Sequence, residues 1–288
     1  MPELPEVETI KRGLAKTIIG KKIAGFDSDW RKMINRPLPA YKKIVAGLRI
    51  KAIERRAKML IIDLTDDWRL WFHLKLTGQL VYSGQKKKVV GGHPIKEGFE
   101  KDPNRFTHAT FTFTDGSHLY FNDVRKFGWV RLYRSGELKE KLEAMKLGPE
   151  PLDAGFTLNV FKERLKKKPN NKIKVFLMDP QNIVGLGNIY SDEVCFFARV
   201  RPDRPVKSLK EGEIKLLYQG IKKILTEAIK YEGTSFSDYV NALGEAGAYT
   251  KKLKVYGRYG KNCLKCGGEV KRLKLGGRTS SYCPECQK

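Results

Sequence analysis

Apolar residues recur near the start of the chain at Val7, Ile10, Leu14 and Ile18, the spacing at which one face of an α-helix meets a core. Pro5 stands just inside this run, where a missing N–H costs no hydrogen bond, and Gly20 follows it as a stop signal. The pattern predicts a leading helix of about three turns. From residue 44 the period shortens to alternation, which predicts strands over 44–54, 58–64, 70–82, 109–114, 118–122 and 129–133. Asp115-Gly116 between two alternating runs is a two-residue hairpin signal. Short strands joined by such turns point to an antiparallel sandwich or barrel, and residues 83–107, broken by Gly, Lys and Pro, read as an exposed loop.

Strand signals stop near residue 135, and Gly148-Pro149-Glu150-Pro151 reads as a linker. Helical spacing then predicts helices over 161–168, 172–178, 189–198 and 211–231. The last has Ile214, Leu217, Ile221, Ile224, Leu225 and Ile229 on one face and is expected to pack. A polar, Gly-rich stretch over 232–250 is expected to be mobile.

Charge changes the picture more than composition does. Fifty-seven Lys and Arg against 32 Asp and Glu give +25 over 288 residues, with the cations spread along the whole chain. That argues for a polyanionic partner, nucleic acid first, rather than a basic tail. No apolar run approaches ~18 residues and no basic segment precedes an apolar one at the start, so neither a membrane span nor a signal peptide is expected. A cytoplasmic location follows as the expectation.

Four of the five cysteines fall in the last 26 residues as Cys263-x2-Cys266 and Cys283-x2-Cys286, with sixteen residues between them (267–282). Two such knuckles can set four thiolates around one structural Zn2+ and leave no position open for water. Between them Lys271, Arg272, Lys274 and Arg278 form a basic hairpin suited to phosphate or simply solvated. Cys195, in an apolar run with no basic neighbour, reads as a buried small hydrophobe.

Three further stretches are ambiguous taken singly. If Met1 is removed, Pro2 becomes a secondary amine with a pKa near ~8, far more nucleophilic at neutral pH than a lysine; otherwise it merely begins a helix. Gly185-Leu186-Gly187-Asn188 can aim backbone amides and the Asn188 side chain at an anion, or can only connect helices. Arg125-Lys126-Phe127 can push a guanidinium and a ring into a base stack while the neighbouring ammonium holds phosphate, or can be plain surface.

In order and spacing these pieces resemble the bacterial formamidopyrimidine-DNA glycosylase family. The shared stretches are Met1-Pro2-Glu3-Leu4-Pro5-Glu6-Val7-Glu8-Thr9, Arg55-Arg56-Ala57-Lys58, His73-Leu74-x-x-x-Gly78, Asp123-Val124-Arg125-Lys126-Phe127-Gly128, Gly185 through Glu193, Val255-Tyr256-Gly257-Arg258 and the four cysteines. The resemblance implies an α+β, multi-domain protein. It would comprise an N-terminal antiparallel β-sandwich with a leading helix (1–134), a linker (135–155), a helix-two-turns-helix domain (156–252) with a lesion-capping loop near 233–250, and a zinc-ribbon finger (253–288), with DNA in the cleft between the domains.

It further implies a monomeric, nucleoid-associated base excision repair enzyme acting on double-stranded DNA that carries oxidised bases or abasic sites. Pro2 would be the nucleophile, Glu3 the acid that opens the sugar, and Glu6 a support. Lys58, Asn188 and Arg278 would grip phosphates. Lys174 would lie near the everted base, Arg125 and Phe127 would fill the gap in the duplex, and Lys126 between them would contact DNA. The family's usual third gap-filler, a methionine, is replaced by Leu76. The 233–249 stretch resembles the loop that covers an oxidised purine. Competing expectations are an endonuclease VIII-like enzyme for oxidised pyrimidines and a non-catalytic zinc-ribbon nucleic-acid binder.

Overall fold

Helix α1 (Leu4–Ile18) buries Val7, Ile10, Leu14 and Ile18, the four positions of the leading apolar stripe. In the computed structural model, which describes residues 1–85, 88–92, 102–234 and 248–288, the chain divides into two compact units. The first comprises Met1–Ala144 with Tyr231–Ala248, the second Met145–Lys230 with Tyr249–Lys288.

In the first unit, β1 (Ile23–Asp27), β5 (Gly78–Ser83), β6 (Lys88–Gly92), β7 (Thr107–Phe113) and β8 (His118–Asp123) form an antiparallel sheet in the order β1-β7-β8-β5-β6. A second antiparallel sheet has the order β2-β3-β4-β9, made of β2 (Ile50–Arg56), β3 (Met59–Leu64), β4 (Trp68–His73) and β9 (Trp129–Arg134). The inner faces share one core, in which Phe72 of the second sheet meets Phe111 and Phe121 of the first at ring separations of 6.1 and 6.0 Å. This is a sandwich, and α1 lies against one edge strand of each sheet, β2 and β6. Gly91 is what permits that approach, since a Cβ there would stand 2.6 Å from Ile10. Covering these two of the four edges with the helix removes backbone that would otherwise be open to pairing.

The alternation over 70–82 proves to be two strands, β4 and β5, because residues 74–77 turn the chain from one sheet to the other. The expected strand over 44–54 begins only at Ile50; helix α2 (Leu38–Val45) takes its first residues, burying Tyr41 and Val45. The expected loop 83–107 contains β6, whose ladder to β5 supplies the register that its composition hides. Within the expected linker 135–155, Ser135–Ala144 is helix α3 with Leu138 buried.

The second unit is helical. It contains α4 (Leu158–Lys166), α5 (Ile173–Met178), α6 (Asn188–Phe197) and α7 (Glu211–Lys230), followed by the hairpin β10 (Lys271–Leu275) and β11 (Arg278–Tyr282). Phe156, Phe161, Phe176 and Tyr218 pack as an aromatic cluster, and the Tyr218 hydroxyl donates to the Phe156 carbonyl at 3.0 Å. Among the described residues no helix is long and apolar enough to cross a membrane. Most of the expected lesion-capping loop, 235–247 of 233–250, lies outside the described residues.

Candidate nucleic-acid and catalytic site

At the head of α1, Glu3 is the N-cap and Glu6 the third helical residue. Each closes on the other's backbone in a capping box, with the Glu3 N–H donating to Glu6 Oε2 at 2.8 Å. The other oxygen, Glu6 Oε1, accepts from the Thr234 N–H (2.9 Å) and hydroxyl (3.1 Å). Gly233, at φ +86°, lies so close that a Cβ would come within 2.8 Å of that same oxygen. The Glu6 carboxylate is thus engaged on both oxygens. It is a buttress that holds the peptide of Pro2 and Glu3 in one orientation. Pro2 and Glu3 are themselves buried.

One turn on, Glu8 binds Lys11, Arg12 and Arg55 at 3.1, 3.0 and 3.1 Å. Burial pushes its pKa up, but the Lys11, Arg12 and Arg55 cations outweigh that and leave it below the ordinary carboxylate value. Arg55 also donates to the Ala57 carbonyl at 2.9 Å, so α1 is tied to the β2–β3 turn that carries Lys58. Lys58 in turn acts on His73. Burial first, and then the Lys75 and Lys58 charges, depress the His73 pKa to about 3. Its Nδ1 accepts the Lys75 N–H at 2.9 Å, which assigns the proton of the neutral ring to Nε2.

Asp123 organises the expected gap-filling residues. Its carboxylate accepts from the Arg125 N–H (3.1 Å), the Gly128 N–H (2.6 Å) and the Thr77 hydroxyl. The loop of Arg125, Lys126 and Phe127 is therefore fastened to the 74–77 turn that carries half-buried Leu76. Phe127 is 50 % exposed, with the Arg125 guanidinium 4.7 Å from its ring centre. Lys126, at φ +56°, folds away from the pair so that its ammonium lies 4.7 Å over Trp30. Arg125 and Phe127 are thus paired on a loop that is tied, through Thr77, to the turn carrying Leu76.

In the second unit Asn188 opens α6, and its Oδ1 is buried with no hydrogen-bond partner. That oxygen is an acceptor, so an anion at this helix N-terminus would be met by the amide's Nδ2 and by backbone N–H groups instead. Arg278 is exposed at the start of β11, after the Gly276-Gly277 turn, both glycines having positive φ. Lys174, expected beside a base, is instead fully buried: its ammonium lies 2.7 Å from Asp192 and 3.3 Å from the Thr279 carbonyl. It anchors the hairpin, because Asp192 also accepts from the Ser280 hydroxyl (2.6 Å) and the Ser281 N–H (2.9 Å).

Its neighbour Glu193 accepts the N–H groups of Lys254, Val255 and Tyr256, each at 2.9 Å. Two adjacent buried acids on one helix thus hold β11 and the 254–256 strap. Paired carboxylates inside a helix, in so basic a chain, are the signal in the sequence that could have found them. Cys195, next to them, is fully buried, and burial raises its thiol pKa.

The sulfurs of Cys263, Cys266, Cys283 and Cys286 lie within 4.8 Å of one another, with Cys266–Cys283 at 3.5 Å and Cys263–Cys286 at 3.9 Å. Zn–S bonds of ~2.3 Å in a tetrahedron put sulfurs ~3.8 Å apart, so the donor set fits one structural zinc ion.

Three family profiles match in sequence. The Formamidopyrimidine-DNA glycosylase N-terminal domain covers residues 1–130, its H2TH domain 147–240, and a zinc finger found in FPG and IleRS 260–288. A formamidopyrimidine-DNA glycosylase of Halalkalibacterium halodurans is 41 % identical over the full length of both chains. Lactococcus lactis Fpg in complex with abasic-site DNA is 36 % identical, with a TM-score of 0.86 over 99 % of each chain. The same enzyme with DNA containing N7-benzyl-Fapy-dG gives 0.87 over the whole of both chains.

Proposed function

The chain belongs to the formamidopyrimidine-DNA glycosylase family, and from that premise we propose that it removes oxidised purines from duplex DNA through Pro2. Once Met1 is gone, the Pro2 amine attacks C1′ of the damaged nucleotide, and the bond to the base breaks with its electron pair leaving on the base. Glu3 protonates the ribose ring oxygen, so the sugar opens to an iminium on Pro2. The iminium acidifies C2′, and loss of that proton expels the 3′ phosphate; a second elimination expels the 5′ phosphate and leaves a one-nucleotide gap. Lys58, Asn188 and Arg278 grip phosphates, and Leu76, Arg125 and Phe127 occupy the space left by the everted nucleotide. The enzyme acts as a monomer on bacterial chromosomal DNA.

The observation that carries this reading is the buttressed start of α1. Glu6 spends both oxygens on Glu3 and Thr234, which holds residues 2 and 3 still, and positional rigidity is what an attacking amine needs. Borohydride trapping on an 8-oxoguanine·cytosine duplex tests it. A covalent adduct that maps to Pro2, lost when Met1 is retained, supports the reading; tight DNA binding without adduct or cleavage sinks it. A thymine glycol duplex in parallel decides between oxidised purines and pyrimidines.

A further inference from the structure

The second unit contains a cleft of about 750 Å3 that the reaction above does not use. Its apolar lining includes Phe196 and Phe197, from the last turn of α6, and Leu216 of α7, which is 37 % exposed. Phe197 is seated against Gly220 of α7, where a Cβ would come within 2.8 Å of the ring, so this wall is set by the helix backbone. Around it stand Arg199, Lys223, Lys252, Lys254 and Lys265, with the Lys223 ammonium 5.5 Å from the Phe197 ring centre. Among the described residues Arg199, Lys223, Lys254 and Lys265 form no ion pair. The carboxylates in the lining are Glu193 and Glu227, and Glu193 is already occupied by three backbone N–H groups.

We propose that this cleft is a docking site for an acidic peptide segment of a partner protein, one carrying a bulky apolar residue beside its carboxylates. The charge excess selects a polyanion, and the apolar wall selects among polyanions. Duplex DNA presents phosphate and sugar outward with its bases stacked inside, and so has nothing to lay against Phe196 and Leu216. An acidic peptide can place carboxylates on the lysines and one aromatic or aliphatic side chain in the cleft. Position also separates the two ligands. Phe196 lies eight residues along α6 from Asn188, about 12 Å by helix rise, so a peptide here leaves the phosphate-gripping end of the helix open.

Fluorescence anisotropy with the full-length protein and a labelled octapeptide, five aspartates followed by Gly-Leu-Phe, tests the site. Saturable binding is expected, weakened at least ~10-fold by Lys223→Glu and by Leu216→Asp, and weakened similarly when the peptide ends in Gly-Ala-Ala. Strand cleavage by both variants should stay at the wild-type level, which shows that they are folded. Absence of binding overturns the proposal, as does binding indifferent to both substitutions and to loss of the peptide's apolar end. Full displacement of the peptide by a short undamaged duplex, with duplex affinity falling in Lys223→Glu as much as peptide affinity, overturns it in favour of a DNA surface.

Discussion

The ammonium of Lys174 and the carboxylate of Asp192 meet at 2.7 Å with neither side chain exposed to solvent. The pair belongs to α5 and α6, yet what it secures is β11, through Ser280, Ser281 and the Thr279 carbonyl. The hairpin that bears Arg278 is therefore held by an ion pair as well as by zinc.

Removing one partner of that pair strands the other's charge in a dry interior, which costs about 3–5 kcal/mol, whereas removing both with apolar residues of similar size costs far less. Lys174→Met should accordingly destabilise the protein strongly in urea denaturation, and Lys174→Met with Asp192→Leu should recover only part of the loss, because the buried Ser280 hydroxyl and Ser281 N–H then lack an acceptor. The recovered double variant should still bind DNA less tightly than wild type, because Ser280 and Ser281 lose their common acceptor.

Glu6→Ala should cost about 1–3 kcal/mol by leaving the buried Thr234 and Glu3 N–H groups without an acceptor. Its larger effect should be on single-turnover trapping at Pro2, which depends on a fixed helix start, while duplex affinity changes little. A variant that keeps the wild-type trapping rate would show that the buttress is dispensable.

His73 sets a pH dependence of stability. Its pKa falls from 6.5 to about 3 on folding, chiefly by burial and then by Lys75 and Lys58, so the unfolded chain binds the proton more readily. The stabilisation is fully present above about pH 6.5 and is lost as pH falls from there towards 3. His73→Asn, which can still accept from the Lys75 N–H, should flatten the pH slope of unfolding free energy between pH 6 and 5 by up to about 1.4 kcal/mol per pH unit. An unchanged slope would place the titration elsewhere.

Arg278 should contribute affinity without sequence preference. Arg278→Ala should weaken damaged and undamaged duplexes alike and reduce the steepness of the salt dependence by about one counterion. Chelation of zinc, or Cys266→Ser, should produce the same loss with a fall in thermal stability, since the metal holds the two ends of the hairpin segment together.

The helix over 4–18, the α7 stripe and the zinc ligands were legible because each depends on spacing within a single local stretch: a 3.6-residue period, or two Cys-x2-Cys knuckles. The break inside 70–82 was not, because the residues that turn the chain at 74–77 differ from strand residues only in the sheet each flank joins. Strand β6 was hidden for a related reason: its Lys, Val and Gly composition acquires a strand's identity only from pairing with β5.

The same division runs through the site. The order of residue types alone determined the family, the Pro2–Glu3 start, the zinc knuckles and the Arg125–Phe127 loop, because chemistry that needs particular side chains at particular intervals leaves a mark in one dimension. Tertiary structure decided which of them are tools and which are mounts. It buried Lys174 against Asp192, laid the Lys126 ammonium over Trp30, and spent both oxygens of Glu6 on Glu3 and on Thr234, 228 residues away in the chain. Burial and long-range pairing fix the role of a charge, and both depend on distances that the chain acquires only when it folds.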